Sequence, residues 1–201
     1  MRKHPKFYIE NLMVHISILT LIVYVVHYLF RTPLIGYLTL DRTVVLSGQI
    51  WRLVTFVLIP ANSNLLWFVI SLYFYYFLGS SLENTWGSQL FTIYYIVCML
   101  GSIIAAMLFG GIFTGVYINL SIFLAFAYLY PNQEILLFFV VPVKIKYLAY
   151  LDIILLAMSF ITGGLTAKLM ILSSLTGLAV FFGKDIILDI RLWLRRMKNR
   201  R

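Results

Sequence analysis

Charge is scarce in this sequence, and most of it lies at the ends. Only 11% of the 201 residues are Asp, Glu, Lys or Arg, while 62% are hydrophobic. Ordinary soluble domains are about a quarter charged and about half apolar, so water cannot be the solvent for most of this surface. There are only five prolines, and no Ser/Gly/Pro-rich run or fixed-period repeat divides the chain; a single bundle is expected. The one cysteine, Cys98, excludes an internal disulfide and reads as core filler in an apolar run. No cofactor and no metal is expected.

What charge exists is mostly positive: 16 basic against 7 acidic residues, a net +9. Arg2, Lys3 and Lys6 open the chain, and Lys184, Arg191, Arg195, Arg196, Lys198, Arg200 and Arg201 close it. A basic protein can bind nucleic acid, but bases that flank apolar segments are those that set membrane orientation. No nucleic-acid partner is expected. The partners implied by composition are the bilayer itself and, for the tail, anionic lipid.

The apolar runs predict an all-α polytopic membrane protein of six spans: Leu12 to Phe30, Leu65 to Leu82, Phe91 to Phe109, Phe113 to Tyr130, Leu148 to Ile161 and Ala167 to Phe182. The first has no small-residue cleavage site after it and is expected to stay in the protein. Residues 1–183 form the predicted membrane domain, and residues 184–201 a basic amphipathic tail with Ile186, Ile190, Trp193 and Met197 at helical spacing. Between the first two spans, Arg31 to Asn64 is too interrupted by polar residues to cross. Within it, Ser47 to Ile59 predicts an interfacial helix with Trp51 at headgroup level. Ile135 to Val141, bracketed by Pro131 and Pro142, predicts a re-entrant or interfacial loop. Six crossings put both basic termini on one side, with Lys144 and Lys146, and the positive-inside rule makes that side cytoplasmic. Arg42, Arg52 and Lys168 fall on the other side and oppose this mildly.

Three segments in order resemble the rhomboid superfamily of intramembrane serine proteases. Gly48, Gln49, Trp51, Arg52, Leu53 and Thr55 are similar to its first-loop Trp-Arg motif. Gly79, Glu83 and Gly87 are similar to the Gly, Glu, Gly pattern closing its second helix, and Pro131 to Ala149 resembles the loop between its helices four and five. The resemblance implies a six-helix bundle with an interfacial first loop. Physically, Glu83 at a span end needs donors for its carboxylate, the two glycines allow close approach, and Trp51 with Arg52 suits a loop anchor.

The family's chemistry is missing. The resemblance implies a serine in Gly-x-Ser-Gly near Val116 and a histidine base near Met170; no Gly-x-Ser-Gly occurs, and no histidine follows His27. The implied oxyanion donors fall on Trp67 and Ser71. No catalytic residue is therefore assigned, and the resemblance implies a derlin-like pseudoprotease that binds transmembrane segments of client proteins without cutting them. Asn119, Ser121, Ser173, Ser174 and Gly177 are its candidate client-binding surface, between helices four and six. His15 and His27, in the first span, suit satisfied or interface-facing roles.

Two other functions stay open. Ser121 with Lys168 as a neutral base is a candidate non-standard hydrolase, although Ser121 sits about 7 Å below the family's serine position and Lys168 about 3 Å above its histidine position. A small transporter or channel would use intramembrane ionisable residues, of which only Asp152 qualifies, within reach of Lys146 for an interfacial ion pair.

Overall fold

A computed structural model describes residues 8–137 and 141–198. The basic residues Arg2, Lys3, Lys6, Arg200 and Arg201 lie outside the described residues, as does the middle of Ile135 to Val141. The chain is mostly helical, and five of its helices are long and apolar enough to cross a membrane.

Helix α1, Leu12–Leu29, begins after Asn11 in the left-handed region (φ 55°), with no cap from that side chain. The first N–H groups of any helix lack intrahelical acceptors, and hydrocarbon offers none. Glu83 supplies them from 70 residues away. One carboxylate oxygen accepts from Leu12 N at 3.2 Å and the other from Met13 N at 3.5 Å, while the Ser88 hydroxyl donates at 2.8 Å. Just below, the Met13 side chain lies directly on Gly79, where a Cβ would overlap it.

The first loop is not the single interfacial helix predicted from Ser47 to Ile59. It folds as α2 (Leu34–Leu38), β1 (Leu40–Asp41), α3 (Arg42–Leu46), α4 (Arg52–Thr55) and a 3-10 turn at Phe56–Leu58. Gly48 turns the chain at φ +106°, which ends α3, and Asp41 caps that helix by accepting from Thr43 N at 2.8 Å. The guanidinium of Arg52, 4% exposed, gathers the segment. It donates to Gly36 O at 2.7 Å, Thr39 O at 2.8 Å and Gln49 Oε1 at 2.8 Å. Trp51 is half-exposed, and its indole N–H donates to Tyr37 O at 3.2 Å. Leu40 and Phe56 are fully buried, so the loop is packed onto the bundle.

Helix α5, Leu65–Trp86, starts at an Asn64 cap and runs four residues past Leu82, the end of the predicted span. A single Gly87, φ +80°, then turns the chain directly into α6, Ser88–Phe109. Gly110 and Gly111, both at positive φ, lead into β2 (Ile112–Phe113), which pairs antiparallel with β1. That pairing takes Phe113, the first residue of the predicted fourth span. What remains is α7, Val116–Leu129, of 14 residues, about 21 Å long against about 30 Å of hydrocarbon. It is the most enclosed helix, with every residue from Ser121 to Ala127 buried.

The segment predicted as a re-entrant or interfacial loop forms a hairpin in its described parts, β3 (Glu134–Leu137) antiparallel to β4 (Val141–Lys144). Pro142 has no N–H to donate, which an isolated pair tolerates because both strands are edges. Helix α8 (Ile145–Thr162) follows, then α9 (Leu165–Lys198). The last helix runs from the membrane into the tail without a break at residue 183, and its 34 residues measure about 51 Å. The faces predicted for Ile186, Ile190, Trp193 and Met197 lie outside the described side chains. Helix α9 packs chiefly on α6 and α7, and α1 on α5.

Replacing Glu83 with Ala strands the first N–H groups of α1 and should cost about 1–3 kcal/mol. Glu83→Gln, which keeps one acceptor, should cost less. Thermal unfolding of the detergent-solubilised protein checks this; equal midpoints for Glu83→Ala and wild type would contradict it.

Candidate functional site

Tyr94 and Cys98 lie four residues apart on α6, and so share a face. That face meets α7 at Ser121, which is 0% exposed. The Tyr94 phenol oxygen is 2.9 Å from the Ser121 carbonyl and 2.7 Å from its hydroxyl, and the Cys98 thiol is 3.5 Å from the same hydroxyl. One arrangement satisfies every proton. The thiol donates to the serine oxygen, the serine hydroxyl to the phenol oxygen, and the phenol to the serine carbonyl. Gly177 of α9 closes the cluster from the third side, where a Cβ would overlap Cys98 Sγ and touch the Tyr94 ring. Trp86 and Phe181 pack on that ring at 5.3 and 5.1 Å between centroids.

This geometry decides the chemistry available to Ser121. A nucleophilic serine needs an acceptor that can take its proton, and a neutral phenol oxygen is a very weak base. The Lys168 ammonium lies over the Phe160 ring, 5.7 Å from its centroid, so the structure does not bring together the candidate pair Ser121 and Lys168. His15 bonds the Asn11 carbonyl at 2.9 Å through Nδ1, and His27 stacks edge-on to Tyr28 with Nδ1 buried and unpartnered. Both stay on α1.

The five candidate client-binding residues do not form one open surface. Ser121 on α7 and Ser173, Ser174 and Gly177 on α9 are all buried. Ser173 donates to Met170 O and Ser174 to Ile171 O, each at 2.7 Å. Tight packing of α9 on α6 takes up the small residues that were expected to face a client. Only Asn119 faces open space, a cavity of about 30 Å³ between α1, α5 and α7 that Thr20, Ser71 and Tyr75 also line. A cavity of that volume, mainly apolar but with these polar groups on its wall, has room for a water or two.

At the positions implied by the rhomboid resemblance, Val116 is 40% exposed and Met170 half-buried. Trp67 is 47% exposed at the start of α5, and Ser71 donates to Phe68 O at 3.0 Å while Asn62 reaches it at 3.4 Å. Gly115 is pressed against the Val57 backbone and donates its N–H to Phe56 O at 2.9 Å. The expected ion pair of Asp152 with Lys146 does not form. The Lys146 ammonium instead donates to Asn132 Oδ1 at 3.1 Å, because the hairpin holds Asn132 over the start of α8.

Sequence reasoning overlooked Tyr94, Thr20 and Tyr75. The available signal was spacing: Ser71 with Tyr75, like Tyr94 with Cys98, stands four residues apart in an otherwise apolar span.

Residues 12–182 match the family described as eukaryotic integral membrane protein (DUF1751). No curated protein matches the chain.

Gly177→Ala should destabilise the protein by about 1–3 kcal/mol through overpacking. Adding Cys98→Ala, which removes the atom in the way, should recover part of the loss. Unfolding in detergent measures both; a double variant no more stable than Gly177→Ala would show that the glycine matters for another reason.

Proposed function

The chain belongs to the eukaryotic integral membrane protein family DUF1751, and from that premise we propose that it is a rhomboid-like pseudoprotease. In this proposal it spans the membrane six times, counting the short α7, and binds transmembrane segments of client proteins without cutting them. Both termini lie in the cytoplasm, and the basic tail meets anionic lipid there.

The observation that carries the proposal is the state of Ser121. It is the serine nearest in sequence to Val116, where the resemblance implies the nucleophile, and its hydroxyl is bonded only to neutral groups, with no base beside it. The motifs resembling those of rhomboids serve structural ends here. Arg52 ties the first loop together, Glu83 caps α1, and Gly79 admits Met13. A scaffold with these ties and without an activated nucleophile is suited to holding a helix. Asn119 supports the binding half of the proposal, since its amide faces the small cavity with Ser71 and Tyr75.

Purified protein in bilayers should not cleave model rhomboid substrates and should not react with fluorophosphonates. Fluorophosphonate labelling abolished by Ser121→Ala would overturn the proposal. In cells, a photo-crosslinker at Ser71, beside the cavity, should capture transmembrane proteins, whereas one at Ile118 or Ser174, both 1% exposed, should capture only this chain. Capture of lipid alone at Ser71 would count against client binding.

A further inference from the structure

Helix α8 is the least enclosed of the five long helices. Only 11% of its membrane window is buried, against 22% or more in the other four. Its inward stripe is narrow, running through Ile145, Leu148, Ala149, Asp152 and Leu156 at spacings of three and four, while Tyr150, Leu151, Ile153 and Leu155 are exposed on either side. Four members of that stripe are apolar. The fifth is the only charged residue of α8 beyond Lys146.

Asp152 is therefore aimed at the bundle, and the bundle does not answer it. Its Oδ2 is buried and has no hydrogen-bond partner. Two of the lysines that flank it in sequence are engaged elsewhere, Lys146 with Asn132 and Lys168 over Phe160. Tyr75 of α5 lies within electrostatic reach, but α8 packs chiefly on α7, α9 and β4 rather than on α5. A carboxyl group in hydrocarbon is costly unless a donor or a cation meets it.

We propose that Asp152 is the recognition group for a client transmembrane helix that carries a lysine or arginine, docked along α8 on the side facing α5. This rests on the client-binding function proposed above and adds the chemistry of the client. Charge complementarity selects the occupant. Asp152 sits seven residues into α8, about 10 Å from its start, so the matching cation lies at that depth from the client's end on the same side. A long basic side chain spans the remaining distance with its apolar stem in lipid and its charge at the carboxylate. A resident metal fits less well, because no group of three or more His, Cys, Asp or Glu residues gathers among the described residues.

The test uses the full chain in phosphatidylcholine vesicles, whose zwitterionic surface does not attract bases. Two labelled single-span Leu/Ala peptides are titrated by energy transfer, identical except for Lys or Leu about 10 Å from the matching end. The lysine peptide should bind about tenfold more tightly. Asp152→Asn, which is isosteric, should abolish that preference and leave the leucine peptide unchanged. Equal binding of both peptides to wild type would overturn the role of Asp152 while sparing client binding in general, as would a lysine preference that survives in Asp152→Asn. A preference that vanishes when sodium replaces choline at constant ionic strength would assign the carboxylate to a metal cation. Binding of neither peptide, or cleavage of either, would remove the client-binding function and this proposal with it.

Discussion

A buried hydroxyl left unbonded inside a membrane bundle is costly, and at Ser121 the bonds that meet that cost shape the whole junction. The Tyr94 phenol reaches both the hydroxyl and the carbonyl of one residue on α7. To do so it has to lie flat between helices, with Gly177 of α9 leaving room for its ring. Three helices are held together by a few polar atoms and the absence of one side chain. The same bonding that fixes the helices leaves the serine hydroxyl donating to a phenol, with nothing beside it able to take the proton.

A similar economy operates at the membrane boundary. Hydrocarbon cannot solvate the open N–H groups at a helix start. Glu83 meets this need for α1 from the far end of α5 and is itself bonded by Ser88 at the start of α6. Arg52 performs the equivalent service for carbonyls of the first loop. Each charged group is buried because it completes a backbone, and neither needs a reaction to explain its place. Asp152 is the exception, a carboxyl oriented inward on a loosely held helix with one oxygen unmatched.

How much could be read in advance varied with the physics involved. Apolar runs long enough to cross are a property of composition, so α1, α5, α6, α8 and the first part of α9 were legible as spans to within a few residues. The fourth run holds α7, but its start was misplaced because Phe113, its first residue, and Ile112 before it pair with Leu40 and Asp41 some seventy positions earlier, and no local pattern records such a partner. The hairpin at Glu134 to Lys144 was missed for the same reason: a short apolar stretch between prolines has no periodicity that separates a strand from a loop. In the first loop, Gly48 was visible but not its positive φ, and so one helix was expected where the chain turns.

The sequence by itself determined the solvent, the number of apolar runs, the basic ends and the absence of histidine after His27, because each of these is a matter of residue type and local order. Only the tertiary structure decided which small and polar residues face one another. It buried Ser121, Ser173, Ser174 and Gly177, left Asn119 beside a cavity, and separated Asp152 from Lys146. The physical reason is that a polar group in a bilayer is defined by its partner, and partners on different helices are brought together by packing.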